Sequence, residues 1–115
     1  MQISEDRVGE ALVLAPAGRV DSVTSAELER VVVSRIEAGD RRLVLDLSAV
    51  EYISSAGLRV LLMAAKRLKA PPAALVLCGL GPSVRTVLEL AGFLPIFTIE
   101  AGREQALARV AGPSA

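Results

Sequence analysis

The sequence lacks histidine altogether and holds a single cysteine, Cys78, among its 115 residues. Without histidine, the chain cannot build a Ser-His-Asp triad, a histidine general base or a histidine metal site. One cysteine can neither close an intrachain disulfide nor form a cysteine-cluster zinc site, and Cys78 lies in an apolar run where inert packing is expected. We therefore predict a protein that is not an enzyme and uses no metal or other cofactor.

An excess of charge and long apolar runs are also missing. Thirteen basic residues balance thirteen acidic ones, which argues against direct nucleic-acid binding, since that needs a surplus of Lys and Arg. No apolar run approaches the roughly 20 residues of a membrane span, and no basic-then-apolar leader opens the chain. We expect a cytoplasmic protein without membrane insertion. Aromatic residues make up 3% and hydrophobic ones 52%, which predicts an aliphatic core in one domain.

The order of apolar runs and helical spacings predicts an α/β fold. Two short strands around Gly9 and Glu10 are typical of an N-terminal β-hairpin. Alternating β/α units follow, with strands predicted at 43–47, 73–78 and 96–99, and helices at 24–38, from Ser55, from Pro82 and at 102–110. This order predicts a mixed, mostly parallel sheet of about five strands with about four helices. We expect a single domain over residues 1–112 and a frayed C-terminus at 113–115.

The starts of the first two predicted helices differ in chemistry. Thr24 and Glu27 have the spacing of a capping box, in which hydroxyl and carboxylate each satisfy an exposed backbone N–H. The second helix opens at Ser55, after a loop predicted over 48–54. Its start offers unpaired N–H donors and about half a positive charge, which favours a phosphate. Ser54 or Ser55 can also serve as a plain N-cap, and the two roles are compatible.

Three other motifs point to chemistry, and each falls short. Residues 53–57 half-match the Gly-x-Ser-x-Gly nucleophile elbow, but the first glycine is missing and the serine has no histidine base. The Gly79-Leu80-Gly81 turn begins like a dinucleotide fingerprint without its third glycine. Asp46 ends a buried run, as a phosphoacceptor does in receiver domains, but the accompanying acidic pair and lysine are absent. We expect Asp46 to bond backbone N–H groups of the 48–54 loop.

The stretch from Leu45 to Leu58 reads Leu-Asp-Leu-Ser-Ala-Val-Glu-Tyr-Ile-Ser-Ser-Ala-Gly-Leu. It resembles the signature of STAS domains, specifically that of bacterial anti-sigma factor antagonists, also called anti-anti-sigma factors. The segment from Gly18 to Asp21 and the helix after it resemble the upstream part of the family, and residues 90–94 and 104–107 resemble its C-terminal part. The resemblance spans nearly the whole chain and implies the STAS fold.

The resemblance also implies a set of site residues. The family's phosphorylated serine falls on Ser55, and Ser54, which stands where the family has aspartate, is the second candidate. The glycine for the tight turn into the helix falls on Gly57, and the aspartate beside the phosphosite falls on Asp21. The surroundings of the phosphosite and the partner contact comprise Asp21, Ser22, Ile53, Ser54, Ala56, Gly57, Leu58 and Arg59. Arg59 lies one helical turn after Ser55, either as a neighbour of the phosphate or as a solvated charge.

The function that the resemblance implies is partner switching. The unphosphorylated antagonist binds an anti-sigma factor, which is a serine kinase with a histidine-kinase-like ATPase fold, and so frees a sigma factor. Phosphorylation adds about 1.5 to 2 negative charges, which weakens a protein interface, and a PP2C-type serine phosphatase removes them. Two alternatives stay open. One is an accessory STAS subunit of a phospholipid-transport ATPase, and the other is a ligand-sensing STAS module that binds a nucleotide or lipid.

Overall fold

The computed structural model describes residues 1–111, which form a sheet with helices on both faces. In chain order the elements are β1 (Gln2–Val8), β2 (Ala11–Val20), α1 (Thr24–Glu37), β3 (Arg42–Asp46), β4 (Val50–Ile53), α2 (Ser55–Arg67), β5 (Ala74–Cys78), α3 (Pro82–Leu90), a 3₁₀ turn (Leu94–Ile96), β6 (Thr98–Glu100) and α4 (Arg103–Val110). The predicted α/β fold, with its N-terminal hairpin and alternating units, is confirmed. The fraying predicted at 113–115 lies outside the described residues.

The sheet holds six strands within residues 1–111, in the order β1-β2-β3-β5-β6, with β4 paired to β2. β1 and β2 form the antiparallel hairpin, and the other pairs are parallel. β4 replaces part of the loop predicted at 48–54. It forms because β2 is ten residues long and β3 pairs only with residues 11–14 of it. β4 pairs with the second half of β2, from Gly18 to Val20, along the edge that β3 leaves free.

The core has two apolar layers, one on each face of the sheet. The larger layer joins the sheet to α1, α2 and α3 and includes Leu14, Leu45 and Leu77. The smaller layer lies under α4 and includes Val13, Val44, Val76, Cys78 and Ala106. Successive strand residues point to opposite faces, so β2, β3 and β5 are buried on both sides and read as nearly continuous apolar runs. Within residues 1–111, no helix has the length and apolar character to cross a membrane.

Asp46 anchors α4 to the end of β3. Arg103 Nε and Nη2 donate to Asp46 Oδ2 at 3.1 and 3.0 Å, and the Ser48 N–H donates to Oδ1 at 3.0 Å. The predicted bond from Asp46 to a backbone N–H of the following loop is thereby confirmed at Ser48. Burial raises the pKa of Asp46, but the bonds from Ser48 and Arg103 outweigh it, so that the pKa lies below the ordinary 3.8. Burial also raises the pKa of the Cys78 thiol to about 11, which keeps this packed side chain protonated.

Candidate functional site

Two paired parallel strands bring the candidate site residues to one edge of the sheet. Val20, the last residue of β2, stands opposite Ile53, the last residue of β4. The Ser54 N–H continues the pairing by donating to the Val20 carbonyl at 2.8 Å. Parallel strands end at the same edge of a sheet. Asp21, which follows β2, and Ser55, which follows β4, therefore lie at the same edge. The starts of α1 and α2 are therefore neighbours.

The start of α2 assigns different roles to its two serines. Ser54 is the N-cap, with an extended backbone, and its Oγ accepts from the Gly57 N–H at 3.3 Å. Ser55 is the first helical residue, and its side chain is exposed. The N-cap role left open between the two serines thus belongs to Ser54. Ser55 retains a hydroxyl at the surface, next to the N–H groups that open the helix.

Gly57 is required by packing, which corrects the reason given for it from the sequence. A Cβ at this position would lie 2.7 Å from Ile53 Cγ1 and 2.8 Å from Val20 Cγ1. Its φ is not among the positive values found at Gly9, Gly18, Gly39, Gly79 and Gly92. The glycine therefore does not make the turn into the helix. It lets α2 lie directly against the ends of β2 and β4, which fixes the position of Ser55.

Asp21 organises the start of α1. Its Oδ1 accepts from the backbone N–H groups of Val23 and Thr24, both at 3.0 Å. The hydrogen bonds from Thr24 and Val23 hold the pKa of Asp21 below its ordinary value, so the carboxylate is ionised at neutral pH. The start of α1 thus holds a negative charge that an Asx-type turn ties to the backbone.

The predicted capping box of α1 is wrong. The N-cap is Val23, which offers no side-chain acceptor. The Thr24 hydroxyl donates to the Arg19 carbonyl at 2.7 Å and accepts from the Asp21 N–H at 2.9 Å. Glu27 lies 3.4 Å from the N-terminal ammonium of Met1 instead. The box does not form because Asp21, from the preceding turn, already satisfies the first N–H groups of the helix.

The structure divides the remaining site residues between the surface and the interior. Ile53 and Leu58 are 2% and 7% exposed, so they support the site from beneath and do not offer an apolar contact surface. Ser22 and Arg59 are exposed, and Ala56 is half-buried. Among the predicted site residues, the exposed ones are therefore polar, and Arg59 is the cation among them.

Three surface features near the site escaped the sequence analysis. Val23, the N-cap of α1, is 77% exposed. Arg19 stacks over the Tyr52 ring at 4.4 Å, and Ser83 Oγ donates to the Glu51 carbonyl at 3.0 Å. Of the three, only the exposure of Val23 could be predicted from the sequence, because this valine lies outside the apolar stripe of α1. The other two contacts join residues that lie about 30 positions apart and need the folded chain.

Comparisons with known proteins agree with the fold and cover nearly all of the chain. The family model of the STAS domain matches residues 2–106. A Bordetella bronchiseptica protein described as an anti-sigma factor antagonist, BtrV, is 44% identical over 108 residues, which are 94% of this chain and 93% of that protein. The crystal structure of an anti-sigma factor antagonist from Mycobacterium paratuberculosis is 27% identical, with a TM-score of 0.87 over 95% of this chain and 92% of that one. Unphosphorylated SpoIIAA, at 21% identity, shares the fold, with a TM-score of 0.82 over 99% of this chain and 100% of that one.

Proposed function

Because the chain belongs to the STAS-domain family, we propose that it is an anti-sigma factor antagonist switched by phosphorylation at Ser55. The single observation that carries this proposal is the exposed hydroxyl of Ser55 at the first position of α2. The description of BtrV, at 44% identity, supports the antagonist role. The chain acts by binding and performs no catalysis of its own, in keeping with the absence of histidine from its sequence.

The reaction at Ser55 belongs to the partner. An anti-sigma factor with a histidine-kinase-like ATPase fold binds the unphosphorylated chain and gives up its sigma factor. The same partner transfers the γ-phosphoryl group of ATP to Ser55 Oγ. A P–O bond to the serine forms, the bond to the β-phosphate breaks, ADP leaves and the hydroxyl proton passes to solvent. A PP2C-type phosphatase hydrolyses the phosphoserine and resets the switch, all within the cytoplasm.

The surroundings of Ser55 suit a switch in binding better than a switch in fold. A phosphate at the first turn of a helix is favoured by the N–H groups there, so the chain stays folded. Asp21 already holds one fixed negative charge at the neighbouring helix start. The added dianion makes this edge strongly negative, and a partner closed over it meets desolvated, unpaired charge. We expect a loss of about a hundredfold in affinity, or roughly 3 kcal/mol.

Ser54 is the weaker candidate because its hydroxyl is already in use. Its Oγ caps α2 through the Gly57 N–H, and the residue is half-buried, whereas Ser55 is exposed. A kinase that modified Ser54 would have to reach a half-buried oxygen that already accepts the Gly57 N–H. Ser55 presents no such obstacle.

The test is phosphorylation by an ATPase-fold anti-sigma factor from the same genome, followed by intact-mass measurement. We expect one added phosphate, which Ser55→Ala removes and the matched control Ser54→Ala retains. Ser55→Ala keeps its affinity for the anti-sigma factor, and Ser55→Asp lowers it. A phosphate that persists in Ser55→Ala would overturn the assignment of the site. Failure of the unmodified chain to bind any such anti-sigma factor would overturn the function.

A further inference from the structure

The outward face of α2 carries charge of one sign. Arg59 is followed three and four residues later by Leu62 and Met63, and these by Lys66 and Arg67. The five residues form one face of the helix, here termed the α2 stripe. The three cations are exposed, and Leu62 and Met63 are half-buried. α2 contains no Asp or Glu. Among residues 1–111, none of these cations forms a salt bridge.

Four arginines outside α2 are paired locally with carboxylates. Arg7 pairs with Asp40 at 2.8 Å, and Arg109 pairs with Glu100 at 2.8 Å. Arg35 and Arg103 likewise contact carboxylates. Since the whole chain has no net charge, the α2 stripe is a local excess of positive charge that the fold itself does not compensate.

The α2 stripe also lines a shallow, open cavity of about 460 Å³ on the surface. Leu62 and Met63 supply apolar lining, and Arg59, Lys66 and Arg67 supply the charged part. A methionine adapts its shape to an incoming side chain, and the cations attract carboxylates around it. The chemistry that fits this cavity is an acidic segment with one apolar side chain.

Ser55 belongs to the same face of the helix. It precedes Arg59 by four residues, which places the two one above the other on α2. Helical side chains lean toward the N-terminus of their helix, so a phosphate on Ser55 would lie within reach of the Arg59 side chain one turn away. The α2 stripe and the candidate phosphosite therefore form one continuous surface.

We propose that the α2 stripe is the second half of the partner contact and binds an acidic segment of the anti-sigma factor. This inference rests on the proposed function and names the chemistry of the partner at that site. Phosphorylation of Ser55 then acts in two ways. The phosphate pairs with Arg59 and withdraws that cation from the partner, and its remaining charge faces acidic groups. Both effects release the anti-sigma factor.

A protein partner fits this face better than an anionic membrane does. An interfacial helix inserts a broad apolar face into the lipid, whereas the α2 stripe offers two half-buried apolar side chains. The larger apolar residues of α2 outside the stripe, Leu58, Val60 and Leu61, are buried in the core. A cavity with a charged margin suits one side chain of a folded partner.

The first experiment measures association of the unphosphorylated chain with the anti-sigma factor at low and at physiological ionic strength. Lys66→Glu and Arg67→Glu are each expected to slow association about tenfold at low salt, and the loss shrinks with added salt because the charges are screened. Arg30→Glu is the matched control, since Arg30 is also exposed but lies on α1. We expect it to stay within about twofold of the unchanged chain. Equal rates in all variants, or an equal loss in the control, would overturn the inference.

A second readout tests Arg59 within the phosphorylated chain. Phosphorus NMR is used to titrate the phosphoserine, whose second pKa a neighbouring cation lowers. Arg59→Gln is expected to raise that pKa, and Arg30→Gln to leave it unchanged. An unchanged value in Arg59→Gln would contradict the pairing.

Failure of this inference and failure of the proposed function give different results. If Ser55→Asp releases the anti-sigma factor while the α2 stripe variants bind normally, only the inference is wrong. If no anti-sigma factor binds the unmodified chain, the function itself is wrong. Sedimentation of the unmodified chain with phosphatidylglycerol vesicles, lost in Lys66→Glu and Arg67→Glu, would replace the acidic protein partner with a membrane.

Discussion

The starts of α1 and α2 lie side by side, yet they are built in opposite ways. At α1, the ionised Asp21 accepts the N–H groups of Val23 and Thr24, so a negative charge is part of the fold. At α2, the neutral hydroxyl of Ser54 accepts one N–H, and the exposed hydroxyl of Ser55 stands beside it. The start of α1 already carries the negative charge of Asp21. The start of α2 carries no charged side chain, but its exposed Ser55 hydroxyl offers a position where a negative charge can be added.

The difference teaches how a modification can leave the fold intact and still change binding. A carboxylate that fastens a helix start cannot be exchanged without cost, because backbone donors depend on it. A hydroxyl at the first helical position is not needed as an acceptor for these N–H groups when the preceding residue already caps the helix. The four changes that follow test this contrast, from the largest expected effect on stability to the smallest.

Gly57→Ala is expected to destabilise the protein most, by about 2 kcal/mol in urea unfolding. The new Cβ would approach Ile53 Cγ1 and Val20 Cγ1 to less than 3 Å, and the better helix propensity of alanine offsets only part of that crowding. Gly81→Ala is the control, because nothing lies within 4 Å of a Cβ there. Equal losses at the two glycines would disprove the packing role of Gly57.

Ser54→Ala is expected to cost about 1 kcal/mol, the usual effect of losing an N-cap. The Gly57 N–H loses its acceptor, while Ser55 stays in place. Ser54→Asp restores an acceptor and should regain most of the stability, which urea unfolding measures. A Ser54→Ala variant as stable as the unchanged chain would mean that the hydroxyl does not cap α2.

Asp21→Asn is expected to have a smaller effect at neutral pH and a clear effect on the pH dependence of stability. The pKa of Asp21 is lowered from 3.8 in the folded chain by its bonds to Thr24 and Val23. Its stabilisation is therefore complete above about pH 4 and is lost as the pH falls through the folded-state value. Urea midpoints measured from pH 7 to pH 3 should fall less steeply in the variant. If the urea midpoints of the variant and of the unchanged chain fell equally with pH, the charge of Asp21 would contribute nothing to stability.

Ser55→Ala is expected to change stability least, by no more than about 0.5 kcal/mol. The side chain is exposed and serves as neither cap nor packing contact. Thermal unfolding should therefore leave the variant close to the unchanged chain. A loss as large as that of Ser54→Ala would indicate a structural role for the hydroxyl and remove the contrast between the two serines.

The strands and helices that the sequence predicted well are those whose burial leaves a local pattern. β3 and β5 are covered on both faces and read as apolar runs, and the first turns of α2 repeat Leu58 and Leu61 at helical spacing. β4 was missed because its buried residues, Val50 and Ile53, stand three apart and do not alternate. It is a strand only because β2 is long enough to leave an edge free for it.

The residues of the candidate site divide in the same way, into features that the sequence predicts and features that depend on the folded chain. The resemblance predicted one site for Ser55, Gly57 and Asp21, the first two from the motif at Leu45–Leu58 and Asp21 from the upstream segment. It did not predict that Asp21 displaces the Thr24–Glu27 capping box, because the geometry of a turn depends on where the preceding strand ends. Nor did it predict that Arg103 reaches Asp46 at 3.0 Å across 57 positions of the chain.

By itself the sequence determined the family, the order of strands and helices, and the pair of serines at the start of α2. Those properties depend on spacing along the chain, which is visible without coordinates. The tertiary structure decided which serine caps the helix, why residue 57 must be glycine, and which face of α2 remains uncovered. Each of these depends on atoms from Val20, from Ile53 or from the packed core, which approach α2 only when β2 and β4 pair and the helix settles against them.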